Sequence, residues 1–249
     1  MPGLRLHLTT ARELARDLPP ARIDGFTGAY YLGATTPDIR AMTRWDRERT
    51  HFFRLDDFEH QSGVERLFEE LPPLKDASSL DPETVAFMAG YLSHLVLDEE
   101  YITQIYRPLF GERSTLRDDD LADVMDKILQ WDVERADCED TEKLDEIRLA
   151  LAEAAVEINV DFIGRDTLSQ WRDVSLEVIA QPPSIERLVR FLGRRLGKGL
   201  EEEAEAARFA EGVPALLERT WAHVGEERVR EYMRDARARA SRTMQDYLS

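Results

Sequence analysis

Residues 84–110 read TVAFMAGYLSHLVLDEEYITQIYRPLF, and this stretch decides the fold. Its apolar residues lie on nearly every side of a helical projection, which is typical of a helix buried at the centre of a protein. The preceding Asp-Pro-Glu at 81–83 is a helix start, with an N-cap, a proline at the first helical position and an acidic first turn. Since Pro108 follows as a stop signal, we predict a buried central helix over about 83–107.

Two polar side chains interrupt this apolar helix. His94 and Asp98 are four residues apart, so an imidazole and a carboxylate would lie on one face, one turn from each other. A carboxylate among apolar residues is costly to bury unless it has a partner. A divalent metal is one such partner, because histidine and carboxylate ligands are common in zinc sites. A hydrogen-bonded pair in a helical core is the alternative.

The rest of the chain is also helical in pattern. Apolar residues recur at helical spacing, and no run alternates with the period of a strand. We expect an all-α, multi-helix bundle around the central helix, with a metal-site region at 1–111 and additional C-terminal helices at 112–249 packed into the same domain. The helices predicted outside the central one cover 4–18, 22–34, 61–71, 118–137, 141–163, 165–180, 184–211 and 214–248.

Composition restricts the binding partners. The chain has 249 residues and a formal net charge of −17, and such an acidic surface repels nucleic-acid phosphates and anionic membranes. No stretch is long and apolar enough for a membrane span, and no signal-peptide pattern is visible. We expect a cytoplasmic protein with no stable nucleic-acid partner and no integral membrane association, and a homo-oligomer stays open. The single cysteine excludes an internal disulfide and a cysteine-rich metal site.

Any metal would therefore be bound by histidine and carboxylate side chains. His7 opens the first predicted helix, and Asp38 and His51 flank a polar loop between apolar segments. The charged run 44–49 inside that loop is predicted to be solvated. Collected in space, the candidate side chains would bind one or two ions, and they are His7, Asp38, His51, His94 and Asp98.

Each candidate upstream of the central helix also has a plain structural interpretation. His7 fits a helix-start residue, Asp38 fits a turn-forming residue after a proline, and His51 fits a loop residue packed on its aromatic neighbours. His60 lies in a polar stretch before a helix, so we expect it to be exposed.

The order of these motifs resembles a known family. A histidine near the N-terminus is followed by GATTPD at 33–38, THFF at 50–53 and GYLSHLVLD at 90–98. In this order and spacing the chain resembles the zinc-dependent phospholipase C family over roughly residues 1–110. It is more distantly similar to the fungal single-strand nucleases that share that all-α fold. The resemblance implies a zinc-dependent hydrolase that attacks a phosphodiester, such as a phospholipid headgroup ester or a smaller phosphodiester, with a metal-activated water.

The resemblance also assigns roles to residues. It implies that one zinc is bound by Asp38, His51, His94 and Asp98. His7 and Asp98 match part of a second site, and Asp38 would also be the catalytic residue that orients the attacking water.

The chain departs from the family after the central helix. Members of the family bind a further zinc through additional histidines there, but this chain has no histidine between 94 and 223. His223 and Glu227 stand one turn apart and are a distant substitute. Two other functions therefore stay open, a catalytically reduced metal-binding protein that acts as an interaction module and a plain helical protein. Nearer substitutes for the missing ligands are Glu99, Glu100 and Tyr101.

Overall fold

The structure is a computed structural model that describes residues 2–137, 140–181, 183–196 and 203–249. These residues form helices and no strand, so the all-α prediction is confirmed. The α-helices are α1 (Leu4–Ala15), α2 (Pro20–Ile23), α3 (Thr27–Thr35), α4 (Arg40–Thr43), α5 (Glu48–His51), α6 (Gly63–Glu70), α7 (Pro82–Tyr101), α8 (Arg107–Leu109), α9 (Ala122–Asp137), α10 (Thr141–Ala152), α11 (Arg165–Ala180), α12 (Ile185–Leu196), α13 (Glu203–Val224) and α14 (Glu226–Leu248).

The central helix is α7, and its start follows the sequence signals. The Asp81 side chain accepts hydrogen bonds from the backbone N–H and the hydroxyl of Thr84, at 2.9 and 2.8 Å, and Pro82 occupies the first helical position. These contacts satisfy a backbone donor that would otherwise lack a partner. Nearly all of α7 is buried, as expected for a helix that is apolar on every side.

Two glycines allow α7 to lie unusually close to α3. A Cβ at Gly33 would lie 1.9 Å from the carbonyl oxygen of Phe87, and a Cβ at Gly90 would lie 1.9 Å from that of Tyr30. No side chain fits at those distances, so these positions require glycine. The close packing brings the segment that follows α3 beside the polar residues of α7.

The far end of α7 differs from the prediction. The α-helical geometry ends at Tyr101, and a π-helical turn over Ile102–Tyr106 leads into α8. Pro108 lies in α8, where it has no N–H to donate. The Phe110 and Gly111 N–H groups both donate to the carbonyl of Tyr106, which closes the segment. The predicted span of 83–107 thus joined two different helical geometries into one.

Two other predicted segments have different boundaries in the structure. The segment 22–34 is divided between α2 and α3, because Gly25 adopts a positive φ of 84° that ends the first helix. The segment 141–163 is helical only as far as Ala152.

The predicted break between 184–211 and 214–248 was misplaced. Pro214 does not open a helix but lies inside α13, which ends at Val224, and Gly225 separates it from α14 with a φ of 80°. Residues 197–202 of the first of these segments lie outside the described residues. The neighbouring Val213 is buried in a small second core between α9, α12 and α13, and this packing keeps the segment helical despite the proline.

The main core surrounds α7. Helix α14 packs along α7 through Tyr232, Ala236 and Ala240, and α1 also contacts it. Within the described ranges, no helix combines the length and hydropathy that a membrane crossing requires.

Candidate metal centre

Four segments bring the five predicted ligands together. His7 lies on α1, Asp38 on the single 3₁₀ turn Thr36–Ile39 after α3, and His51 at the end of α5. His94 and Asp98 lie one turn apart on α7. Four of these side chains are almost completely buried, whereas the side chain of Asp38 is 23% exposed. We call these five residues the His/Asp cluster.

Asp98 is at the centre of the His/Asp cluster. Its Oδ1 lies 3.3 Å from Nε2 of His7, and its Oδ2 lies 3.2 Å from Nε2 of His51 and 3.7 Å from Nε2 of His94. Asp38 Oδ1 is 3.7 Å from Nε2 of His51. The Nε2 atoms of three imidazoles are therefore arranged around two carboxylates.

Several buried polar atoms of the His/Asp cluster are not paired among the described residues. Buried polar atoms in proteins almost always have hydrogen-bond partners. The rings of His7 and His94 are stacked, with centroids 3.6 Å apart and planes 9° apart. Because the two rings cover each other's faces, only their edges, which carry the nitrogen atoms, could contact a shared ligand. Five buried atoms lack a hydrogen bond within the described part of the chain: Nδ1 and Nε2 of His7, Nε2 of His51, Nε2 of His94 and Oδ1 of Asp98.

Contacts behind two histidines fix the orientation of their rings. Nδ1 of His94 lies 2.8 Å from the carbonyl oxygen of Ala34, and because a carbonyl only accepts, Nδ1 carries the proton. Nδ1 of His51 lies 3.0 Å from the hydroxyl of Thr50, whose carbonyl accepts from Tyr91 on α7. A histidine that donates from one ring nitrogen presents the other as a lone pair, as metal-binding histidines do.

Electrostatics set the protonation states of His94 and of the two carboxylates. Burial and the nearby His7 lower the pKa of His94 to about 3, so His94 is neutral. Burial raises the pKa of Asp98, but the neighbouring His94, His51, His7 and Arg47 outweigh it, and the pKa lies well below its usual range. The same balance lowers the pKa of Asp38. Ionised carboxylates beside neutral imidazoles are the states in which these side chains bind metals.

A buried arginine, which sequence analysis missed, completes the surroundings of Asp98. Nη2 of Arg47 donates to Oδ2 of Asp98 at 3.0 Å, and Arg47 is only 7% exposed. Arg47 belongs to the run 44–49 that was predicted to be a solvated loop, so that prediction was wrong at this residue. The available signal was its spacing, because Arg47 and His51 are four residues apart and share one helical face.

The donor set fits one ion better than two. Asp38, His51 and His94 have ligand atoms within 4.8 Å of one another, as do His7, His94 and Asp98. His94 belongs to both groups and has one free ring nitrogen, so it completes only one site. If His94 completes a site with Asp38 and His51, then His7 with Asp98 is an incomplete second position. Buried His and Asp groups that could hold a metal ion are thus present.

The suggested substitutes for missing ligands are engaged elsewhere. Glu99 accepts from the N–H of Gly63 at 2.9 Å and pairs with Arg239 on α14. Glu100 pairs with the same arginine at 2.8 Å. Tyr101 donates to Asp126 on α9 at 2.7 Å. These residues attach α7 to its neighbouring helices instead of extending the cluster.

The other two histidines lie apart from the cluster. His60 is exposed, as predicted. Nε2 of His223 lies 2.9 Å from the carbonyl of Leu109, and Gly225 breaks the helix between it and Glu227, which pairs with Arg230. The pair His223 and Glu227 therefore does not form one helical face.

Comparisons of the chain with protein-family models, with curated proteins and with solved structures found no match.

Proposed function

We propose that this protein is a metal-dependent hydrolase that cleaves a phosphodiester, with zinc as the metal. The observation that carries the proposal is the convergence of five His and Asp side chains, four of them buried, with five buried polar atoms that lack a hydrogen bond among the described residues. Support for zinc comes from the combination of imidazole and carboxylate side chains, which are its usual ligands. The order of the sequence motifs supports phosphodiester chemistry through the resemblance described above.

The protein's own residues would divide the work. Asp38, His51, His94 and Asp98 would hold the ion, which when bound lowers the pKa of a coordinated water and attracts the phosphoryl oxygens. Asp38 is the most exposed of the five, so water and substrate would enter from its side. Its carboxylate would accept a hydrogen bond from the attacking water and orient it. Since the other four residues are buried, a small phosphodiester suits this entrance better than a bulky one.

The test combines metal content with turnover. Protein purified without added metal, and after dialysis against zinc, is analysed for its elements and assayed with bis(p-nitrophenyl) phosphate. We expect near-stoichiometric zinc and measurable hydrolysis in the native protein, and loss of both in His94→Ala. Asp126→Asn is a matched control, because it alters a buried carboxylate outside the cluster and should keep its metal. Absence of metal from the native protein after zinc addition would refute the proposal.

A second candidate function is a metal-binding module without catalysis. Two observations favour it: Arg47 already occupies one oxygen of Asp98, and Glu99 and Glu100 are used in helix packing. In that case the ion would stabilise the junction of α1, α5 and α7. Stoichiometric metal together with no turnover of any phosphodiester would favour this candidate over the first.

A further inference from the structure

Two arginines beside the His/Asp cluster have donor atoms without acceptors. Arg47 uses Nη2 on Asp98, but its Nε and Nη1 are buried and lack a hydrogen bond within the described part of the chain. Arg40 opens α4, two residues after Asp38, and its Nε is also buried and unpaired. Buried N–H donors without acceptors are costly, and those of a charged guanidinium more so. These atoms therefore indicate an acceptor that none of the described residues supplies.

The two arginines share one neighbourhood with the carboxylates. The 3₁₀ turn that carries Asp38 packs against α5 and continues directly into α4. Arg47 donates to Asp98 and lies four residues before His51, whose Nε2 is 3.7 Å from Oδ1 of Asp38. Asp38 forms the exposed edge of this neighbourhood.

A count of charges identifies the class of ligand. Asp38 and Asp98 contribute two negative charges, which one divalent cation neutralises. Arg40 and Arg47 then add two uncompensated positive charges beside the ion. The nearby buried carboxylate Glu134 does not compensate them, because it is paired with Arg5 at 2.7 Å. With Arg47 buried and Arg40 half-buried, such an excess of positive charge beside a cation is stable only when an anion completes it.

We propose that Arg40 and Arg47 form the anion-binding side of the metal centre and hold the phosphoryl oxygens of the substrate. This inference rests on the proposed function and adds the residues that recognise the phosphoryl group. A guanidinium is suited to the task, because its planar set of N–H donors matches the oxygens of phosphate and stays charged when buried. Arg47 would keep Nη2 on Asp98 and so connect the bound anion to a ligand of the metal.

Inorganic phosphate is the probe, and isothermal titration calorimetry is the measurement. The native protein and the variants Arg40→Gln, Arg47→Lys and Arg44→Gln are titrated with phosphate, each with and without bound zinc, and the metal content of each sample is recorded. We expect Arg40→Gln and Arg47→Lys to weaken phosphate binding by about tenfold or more. Arg44→Gln is the control, because Arg44 is exposed and lies between the two arginines in sequence, and its phosphate affinity should stay within about twofold.

The possible outcomes separate this inference from the proposed function. Metal-bound protein whose phosphate affinity is the same in all variants, or that binds no phosphate, would overturn the anion site and leave the metal site standing. Absence of metal from the native protein would overturn the proposed function. In that case the metal-free protein still tests the anion site. Phosphate binding that is weakened by Arg40→Gln would support it, and phosphate binding that is unchanged would overturn it. If circular dichroism shows that Arg47→Lys does not fold, the half-buried Arg40→Gln decides alone.

Discussion

Two buried polar clusters contact the central helix α7, and they differ in how completely their atoms are paired. At the end of α7, Tyr101 donates to Oδ1 of Asp126 at 2.7 Å. Oδ2 of Asp126 accepts from Gln130 at 2.7 Å and pairs with Lys127 at 3.2 Å. We call these four residues the Tyr101 network. One turn earlier, in the His/Asp cluster, five buried atoms have no such partner.

The comparison distinguishes a structural cluster from a binding site. A buried polar network whose members satisfy one another stabilises the fold without outside help. A cluster of similar burial whose atoms face one another unpaired makes the fold less stable unless a ligand completes it. Among the described residues, α7 thus contributes to one cluster whose atoms are paired and to one with five unpaired atoms. If the second cluster needs a ligand, the two should respond differently to substitution.

The largest effect should come from the contact behind His51. Replacement of Thr50 by valine keeps the shape of the side chain but removes the hydroxyl that lies 3.0 Å from Nδ1 of His51. The ring would lose the contact that orients it, and loss of such a contact typically lowers metal affinity by roughly 10–100-fold. Competition with a chelator of known zinc affinity measures the change. Thr220→Val is the control, because its hydroxyl bonds only to a carbonyl of its own helix, and equal zinc affinities in the two variants would contradict the prediction.

Loss of a hydroxyl from the Tyr101 network should reduce stability and leave metal binding intact. Tyr101→Phe removes the donor to Asp126 and leaves a buried carboxylate oxygen unpaired, at a cost of about 1–3 kcal/mol in the free energy of unfolding. Urea denaturation measures that cost, and elemental analysis checks that zinc content is unchanged. The chain offers a matched control in Tyr247→Phe. The hydroxyl of Tyr247 is buried but unpaired, so its removal should be nearly neutral, and similar losses in both variants would break the comparison.

The sequence predicted what local rules control. Asp81 and Pro82 gave the start of α7, and the spacing of His94 and Asp98 gave their shared face. Only the order of the motifs suggested that His7, Asp38 and His51 lie beside His94 and Asp98. No local pattern encodes a contact between α1, α5 and α7. Their roles as metal ligands stay predictions until metal is measured.

The sequence could not predict what tertiary packing controls. Arg47 lies in a strongly charged run, and composition alone favours a solvated loop. Its partner Asp98 is 51 residues away, so the ion pair depends on the fold. Pro214 is a helix breaker by local rules, yet the burial of Val213 beside it keeps α13 continuous. In both cases a long-range contact outweighed a local preference.

The smallest predicted effect is a pH dependence confined to the Tyr101 network. Burial raises the pKa of Asp126, but the charge of Lys127 and the hydrogen bonds from Tyr101 and Gln130 outweigh it, and the pKa lies below its ordinary value of 3.8. A carboxyl whose pKa is lower in the folded than in the unfolded protein adds stability above its unfolded pKa. That contribution is lost as pH falls from 3.8 through the folded pKa. The stability advantage of the native protein over Asp126→Asn should therefore shrink as pH falls below 3.8.

Urea denaturation of metal-free native protein and Asp126→Asn, above and below pH 3.8, measures this difference. Asp118→Asn is the control, because the side chain of Asp118 is 88% exposed and its replacement should give a difference that is small at every pH. Other carboxyls titrate in the same range, but they do so in both proteins and cancel in the difference when they are far from the substituted site. A difference for Asp126→Asn that is constant across this range would mean that the carboxylate form of Asp126 is not what stabilises the network. The distinction between a self-sufficient network and a cluster that needs a ligand would then rest on the metal measurements alone.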